Sequence, residues 1–178
     1  REAIRSPGVC SGMGTANSMH IVCEALGMAL PGSAPVAAMS PKMMADVRAA
    51  GRRIVQMVWD DLKPRDILKE GAFANAVRAV LAVGGSVNCV KHLQAVATET
   101  GQQIDVYAMF ENFASQVPVL AGVRPVGDHT IEAFEAAGGA VLDLQGQPLR
   151  YNTRPDPLNP FFIARGDPGR DWLALVRG

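Results

Sequence analysis

The sequence predicts an α/β fold in which a helix-rich first part, residues 1–139, is followed by a short β-rich tail, residues 140–178. Apolar residues recur at helical spacing through most of the first part. Composition changes near residue 140, since all four lysines precede it and five of the twelve prolines follow it. Short apolar runs separated by turn residues in the tail are typical of strands. The sequence therefore divides into two segments, with a candidate boundary near residue 140.

The first two helices have clear sequence signals. A helix is predicted after the glycine-rich turn "PGVCSGMGTANSM", with Thr15 or Asn17 as its cap and a stop at Pro31. Its apolar stripe consists of Met19, Val22, Cys23, Leu26 and Ala29. In the second helix Ser40 is the predicted N-cap and Pro41 takes the first position, where a missing N–H costs nothing. The apolar face of the second helix consists of Met44, Val47, Ile54, Met57 and Val58.

The rest of the first part is predicted to be helical except for one strand. A break at Pro64 precedes a helix that runs to Gly84, and "CVKHLQAVATET", "IDVYAMFENFA" and "DHTIEAFEAAGG" follow as helices, the last of them capped by Asp128. The apolar, β-branched run at residues 117–123, "VPVLAGV", is predicted to be a strand. In the tail, "AVLDL", "LRYN" and "FFIARG" are predicted to be short strands, and a small sheet that recruits residues 117–123 is expected.

Charge and composition exclude several classes of function. The 17 basic and 17 acidic side chains balance, so the basic face that a nucleic-acid partner needs is not expected. The sequence has neither the run of about 18 apolar residues typical of a membrane span nor a signal segment. Three cysteines, an odd number, favour a reducing cytoplasm over a disulfide framework. Because the sequence starts at Arg1, it is expected to be a piece of a longer protein.

Cys10 is the candidate functional residue, and the residues alone leave its role open. It is flanked by glycines and precedes a helix, where backbone N–H groups and the helix dipole favour a thiolate. It is either a ligand or nucleophile, or a small apolar residue in a loop. Cys23 and Cys89 lie on apolar helix stripes and are predicted to be structural and buried.

The other polar candidates have plainer interpretations. His20 and His92 are predicted to be surface histidines, and Glu2, Asp60 and Asp61 solvated charges. The turn "GGSVN" at residues 84–88 either connects two helices or lines a substrate pocket.

Three consecutive blocks carry a resemblance. They are "PGVCSGMGTANSM…EALGMALPGS", "AGRRIVQMV…LKPRDIL…AFANAVRAVLAVGGSVN…KHLQAVA" and "VPVLAGVRPVGDH…F…AGG", which span about residues 5–139. In this order they resemble the N-terminal domain of the dihydroxy-acid and sugar-acid dehydratase family. The resemblance implies a cytoplasmic hydro-lyase that dehydrates 2,3-dihydroxy carboxylates, as in branched-chain amino acid biosynthesis or sugar acid metabolism, to 2-keto acids.

The same resemblance implies cofactors. Cys10 corresponds to the third cysteine that binds the family's iron–sulfur cluster, whose iron acts as a Lewis acid on the departing hydroxyl, while Mg²⁺ holds the hydroxy-acid substrate. The family's first two cysteine motifs, and the aspartate and modified lysine that help bind Mg²⁺, lie upstream of Arg1. The catalytic serine belongs to a C-terminal domain. The isolated chain is therefore expected to bind neither cofactor stably and to be inactive, and a family-type homo-oligomer remains open.

The tail resembles a different family. "EAAGGAVLDLQGQPLRYNTRPDPLNPFFIARGD", residues 135–167, is similar to the C-terminal end of inositol-monophosphatase-like adenosine bisphosphate nucleotidases. That family's metal-binding tryptophan–aspartate element is replaced by "RPVGDHTIEAF", so Asp143 is predicted to be a turn residue. The alternatives to a dehydratase fragment are therefore a metal-dependent phosphatase fragment and a fragment with no activity of its own.

Overall fold

The computed structural model describes residues 11–136, 140–143 and 162–165 of the chain. These residues form seven helices and one pair of strands. The helices are α1, Thr15–Ala25; α2, Pro41–Trp59; α3, Pro64–Ile67; α4, Glu70–Ala82; α5, Asn88–Thr100; α6, Val106–Ala114; and α7, Ile131–Ala136. The strands are β1, Ala140–Asp143, and β2, Phe162–Arg165. No helix among the described residues is long and apolar enough to cross a membrane.

Helix α1 differs from its prediction at both ends. Gly14 in extended conformation is its N-cap, so the cap assigned to Thr15 or Asn17 is wrong. Their side chains bond elsewhere, since Asn17 Nδ2 donates to the Gly12 carbonyl at 2.6 Å and Thr15 Oγ1 accepts from Asn88 Nδ2 at 2.9 Å. The helix ends at Ala25, before the predicted stop at Pro31, because Gly27 adopts a left-handed conformation with φ 79° that a helix cannot continue.

Helix α2 begins as the sequence predicts. The Ser40 side chain accepts a hydrogen bond from the Met43 amide at 3.1 Å, and Pro41 opens the first turn. No residue of α2 is buried. Its predicted apolar face exists, but it faces solvent.

Helices α1, α4, α5 and α6 pack closely on one another and enclose the main core. Burial of their apolar faces drives this packing. Gln94 fixes the connection from α5 to α6, since Nε2 donates to the Ile104 carbonyl at 3.2 Å and Oε1 accepts from the Val106 amide at 2.9 Å. The main core includes Val22, Phe73, Ala76, Val77, Cys89, Leu93, Ala97 and Val106, each fully buried.

A second, smaller core lies beside the glycine-rich turn. Met13, 2% exposed, packs there with Val83, Val123 and Ile131. This core attaches the segment before α1 to the loop before α7, although the two are more than 100 positions apart in sequence.

The strand predicted at residues 117–123 is wrong. Its first residues form no ladder, and only Val123 makes a bridge, to His129. The amides of Leu120 and Ala121 instead donate to the Ala82 carbonyl at the end of α4, at 2.6 and 3.3 Å. Because the Ala82 carbonyl accepts hydrogen bonds from both amides, they do not require a partner on a neighbouring strand.

Helix α7 and the tail complete the described part. Thr130 Oγ1 accepts from the Ala133 amide at 3.2 Å, so Thr130, not Asp128, caps this helix. Strands β1 and β2 pair antiparallel, with Ala140 opposite Arg165. Asp143 ends β1 opposite Phe162, so it is a strand residue rather than a turn residue.

The β-rich tail is not supported. The described residues form a sheet of only two strands, without residues 117–123. The predicted strand at residues 149–152 and the glycine stop at 138–139 lie outside the described residues. A helix-rich first part is the portion of the predicted α/β fold that the structure confirms.

Candidate functional site

The segment that follows Cys10 is held on one side by the loop and helix at residues 122–132. The Ser11 carbonyl accepts from the Ile131 amide at 2.8 Å, and Ser11 Oγ donates to Glu132 Oε1 at the same distance. The Met13 amide donates to the Arg124 carbonyl at 2.6 Å. Cys10 itself lies outside the described residues, but its immediate successor is buried and fixed by both backbone and side chain.

Close contact at Gly12 explains one glycine of the turn. A Cβ at Gly12 would lie 3.1 Å from the Arg124 carbonyl oxygen, which is part of the backbone and already accepts from Met13. A Cβ at Gly14 would meet no atom within 4 Å. Of these two glycines, only Gly12 is required by close packing.

The turn at residues 84–88 holds the segment from the other side. Asn88 Nδ2 donates to Thr15 Oγ1 at 2.9 Å, and Thr15 Oγ1 lies 3.0 Å from Ser86 Oγ. The Ser86 amide donates to Ser18 Oγ at 2.8 Å. The turn therefore connects α4 to α5 and also binds the first turn of α1, and a role in lining a substrate pocket stays a prediction.

Glycines give this turn its shape. Gly84 has φ 59°, a left-handed conformation that side chains disfavour. A Cβ at Gly85 would lie 3.1 Å from Val80 Cγ1 and 3.3 Å from Ser18 Oγ. The Gly-Gly pair thus allows α4 to end against α1 without a clash.

The two described cysteines differ in burial. Cys89 is fully buried, as predicted, while Cys23 is only half-buried. Burial raises the pKa of both thiols, and a hydrogen bond with Ser18 offsets part of the rise for the pKa of Cys89. Neither thiol therefore has the lowered pKa that is typical of a reactive cysteine.

The remaining polar candidates are mostly surface groups, as predicted. His92, Asp60 and Asp61 are exposed. Asp60 Oδ2 lies 3.6 Å from Arg53 Nη1, and Asp61 Oδ2 lies 2.9 Å from Lys63 Nζ. His20 is half-buried, and this burial lowers its pKa. Glu2 lies outside the described residues, and within them no three His, Cys, Asp or Glu side chains gather as a metal site would require.

Sequence reasoning missed a buried carboxylate, Glu24. Its Oε1 accepts from the Gly32 amide at 2.7 Å and its Oε2 from the Ala34 amide at 2.8 Å, so it holds the loop between α1 and α2. Burial raises the pKa of Glu24, although these backbone bonds and the charge of Lys42 act in the opposite direction. The signal available was an acidic residue next to the apolar stripe of α1, followed by a loop rich in proline and glycine.

Comparison with known proteins identifies the family. The family model described as Dihydroxy-acid/6-phosphogluconate dehydratase N-terminal matches residues 1–145, which is most of the chain. The chain belongs to this family. The match contains the Cys10 turn, the turn at residues 84–88 and the loop that carries Arg124, which are the three segments that the site brings together.

Relatives named dihydroxy-acid dehydratase agree with this assignment. The protein from Syntrophobacter fumaroxidans is 42% identical over 132 residues, 74% of this chain and 24% of the relative. That from Acetivibrio thermocellus is 44% identical over 132 residues, with the same shares. The mitochondrial enzyme of Schizosaccharomyces pombe is 40% identical over 139 residues, 78% of this chain and 23% of the relative. The chain thus spans about a quarter of the length of the relatives it matches.

Proposed function

We propose that this chain is the N-terminal part of a cytoplasmic hydro-lyase that converts 2,3-dihydroxy carboxylates into 2-keto acids. The observation that carries the proposal is the family match over residues 1–145, together with relatives that bear the name dihydroxy-acid dehydratase. Because the chain corresponds to about a quarter of those relatives, the rest of the active site is assigned to polypeptide beyond it.

The role of the chain in that enzyme is to present Cys10 as one ligand of an iron–sulfur cluster. Ser11 and Met13 anchor the segment after Cys10 to residues 122–132, and Thr15 joins it to the turn at residues 84–88. Attachment on two sides limits the freedom of the backbone next to the ligand, which is what supports a cluster position.

The described residues do not by themselves fit a complete cluster or Mg²⁺ site. Cys89 belongs to the main core, Cys23 is half-buried on α1, and no three ligating side chains converge within residues 11–134. The remaining thiolates and the Mg²⁺ ligands are therefore assigned to other parts of the whole protein.

A chimera tests the proposal. Residues 5–139 would replace the aligned segment of the Syntrophobacter fumaroxidans dehydratase, and formation of a 2-keto acid from a 2,3-dihydroxy acid would be measured. We expect activity and cluster absorption in the chimera and in its Cys23→Ser control, and loss of both in Cys10→Ser. A folded chimera without activity would contradict the assigned reaction, and an active Cys10→Ser chimera would contradict the ligand.

The isolated chain gives a separate prediction. Since it supplies one ligand in place of three, we expect anaerobic reconstitution with iron and sulfide to leave no stable cluster. Stoichiometric iron and sulfide retained with the visible absorption of a cluster would contradict this. The phosphatase alternative depends on the tail, most of which lies outside the described residues, and stays a prediction.

A further inference from the structure

Ser11, which directly follows Cys10 in the chain, is bonded through its carbonyl and its hydroxyl to the start of α7. The carbonyl accepts from the Ile131 amide and the hydroxyl donates to Glu132 Oε1, both at 2.8 Å. Ser11 is only 6% exposed. Because the two partners are consecutive residues of one helix, a single element holds both the main chain and the side chain of Ser11.

These two bonds restrict where the residue before Ser11 can lie. The Cα of Ser11 is tetrahedral, so once its carbonyl and its side chain are held, the direction of the bond to its own nitrogen is set as well. A planar trans peptide keeps successive Cα atoms about 3.8 Å apart. Only the rotation about the N–Cα bond of Ser11 then remains before the Cα of Cys10, and steric contacts limit that rotation.

The loop that leads into α7 is a compact support for Ser11. The Arg124 amide donates to the His129 carbonyl at 2.9 Å, and the His129 amide donates to the Gly122 carbonyl at 3.1 Å. A Cβ at Gly127 would overlap the Gly122 carbonyl, so the two sides of the loop touch each other. The segment after Cys10 is therefore attached to a closely packed element.

The carboxylate of Glu132 suits a role in holding Ser11. An ionised carboxylate only accepts hydrogen bonds, so the Ser11 hydroxyl has to donate, and a hydrogen bond to a charged acceptor is stronger than one between neutral groups. Residues that hold a metal ligand in place are typically worth about 10- to 100-fold in metal affinity or activity. Loss of the Glu132 carboxylate should therefore weaken whatever Cys10 binds.

We propose that Glu132 is a positioning residue that acts through Ser11 to hold Cys10 in the geometry that an iron–sulfur cluster needs. The inference rests on the function proposed above, in which Cys10 is one ligand of that cluster. The competing interpretation is that the bond between Ser11 and Glu132 only attaches α7. A purely structural bond would change the stability of the protein, whereas a positioning bond changes retention of the cluster out of proportion to stability.

Cluster retention in the dehydratase chimera tests the proposal. We expect Glu132→Leu and Ser11→Ala each to release iron to a chelator at least about 10-fold faster than the parent chimera, as followed by the decay of the visible absorption of the cluster. The double variant should be no faster than either single variant, because both changes remove the same hydrogen bond. Glu132→Gln keeps an acceptor oxygen in a side chain of the same shape and should release iron as slowly as the parent.

Thr130→Ala is the matched control. It removes the hydrogen bond that caps α7, from the Ala133 amide to Thr130 Oγ1, and this bond does not involve Ser11. Thermal unfolding of the cluster-free chimeras measures the stability lost in each variant, and Thr130→Ala should not release iron faster than the parent. Equally fast release from Thr130→Ala and Glu132→Leu would mean that the bond to Ser11 is structural and would overturn the proposal. So would slow release from Ser11→Ala.

The 178-residue chain, which needs no cluster for the measurement, separates this proposal from the proposed function. Glu132→Leu should speed hydrogen exchange of the Ile131 amide and alkylation of Cys10, whereas Glu132→Gln should leave both rates near those of the parent. Unchanged rates in Glu132→Leu would overturn the positioning role even if Cys10→Ser abolishes the cluster of the chimera. A Cys10→Ser chimera that keeps its cluster would instead overturn the ligand role on which the inference rests.

Discussion

Helices α4 and α2 show how much a helical pattern leaves undecided. Both are amphipathic, with 13 and 19 residues, yet α4 buries seven of its residues and α2 buries none. Helix α4 packs closely against α1, α5 and α6, whereas α2 packs closely against no other described helix. Periodicity thus predicts which face of a helix is apolar, but not whether the same chain covers it.

The largest expected difference between the two regions is in core packing. Phe73→Ala in α4 should lower the free energy of unfolding by about 3–5 kcal/mol, because Phe73 is fully buried in the main core. Val58→Ala in α2 should change it by no more than about 0.5 kcal/mol, because Val58 is mostly exposed. Denaturant unfolding of both variants measures the contrast, and equal losses would mean that α2 is covered after all.

The next expected effect lies in the turn after Cys10. Gly12→Ala should cost about 1–3 kcal/mol, since its methyl group would press on the Arg124 carbonyl oxygen. It should also speed hydrogen exchange of the Met13 amide, which donates to that carbonyl. Gly14→Ala is the control, because it meets open space and loses at most about 1 kcal/mol as an N-cap. If both variants behave alike, close contact at Gly12 is not what holds the turn.

The sequence predicted the helices well because their signals are local. Ser40 and Pro41 began α2 as predicted, and α5 follows the glycine turn as predicted, although the helix predicted from Pro64 to Gly84 is divided into α3 and α4. The failures came from contacts distant in sequence. Residues 117–123 resemble a strand, but their amides bond to the end of α4, and the predicted cap Thr15 instead bonds to Ser86 and Asn88.

The candidate site, like the fold, could be predicted only where its signals are local in sequence. The motif around Cys10 was recognisable from its glycines and its family resemblance. The groups that hold it were not, because Ser11 meets Glu132 and Met13 meets Arg124 across more than 100 residues of sequence. Local patterns do not specify such pairs, and only the packed helices bring them together.

Glu24, which holds the loop between α1 and α2, should make the stability of the folded chain depend on pH. The pKa of Glu24 is raised in the folded protein, so the folded chain holds this proton more tightly than the unfolded chain does. Its contribution is full below the ordinary carboxyl pKa of about 4.5 and is lost as pH rises through the raised value. Glu24→Gln removes this titration, and it also removes one acceptor of a backbone amide.

We therefore expect Glu24→Gln to be less stable than the parent chain by about 1–3 kcal/mol at pH 4. The deficit should shrink as pH rises towards 7, because only the parent loses stability through this group. Denaturant unfolding at several pH values measures it, with Asp105→Asn as a control at an exposed helix cap. A deficit that grows with pH would mean that the backbone bonds outweigh burial and that the pKa of Glu24 is lowered.

The smallest expected effects distinguish the two described cysteines. Cys89→Ala should cost about 1 kcal/mol, as expected for loss of a small group from a filled core, and Cys23→Ala should cost less, because Cys23 is only half-buried. Labelling by a thiol reagent should separate them more clearly. Because both thiols have a raised pKa, both should react slowly near pH 7. Cys23 should react in the folded chain, whereas Cys89 should react only when the core opens by local unfolding. Mass spectrometry of the labelled peptides measures each rate, and rapid labelling of Cys89 in the folded chain would show that α5 does not hold its core position.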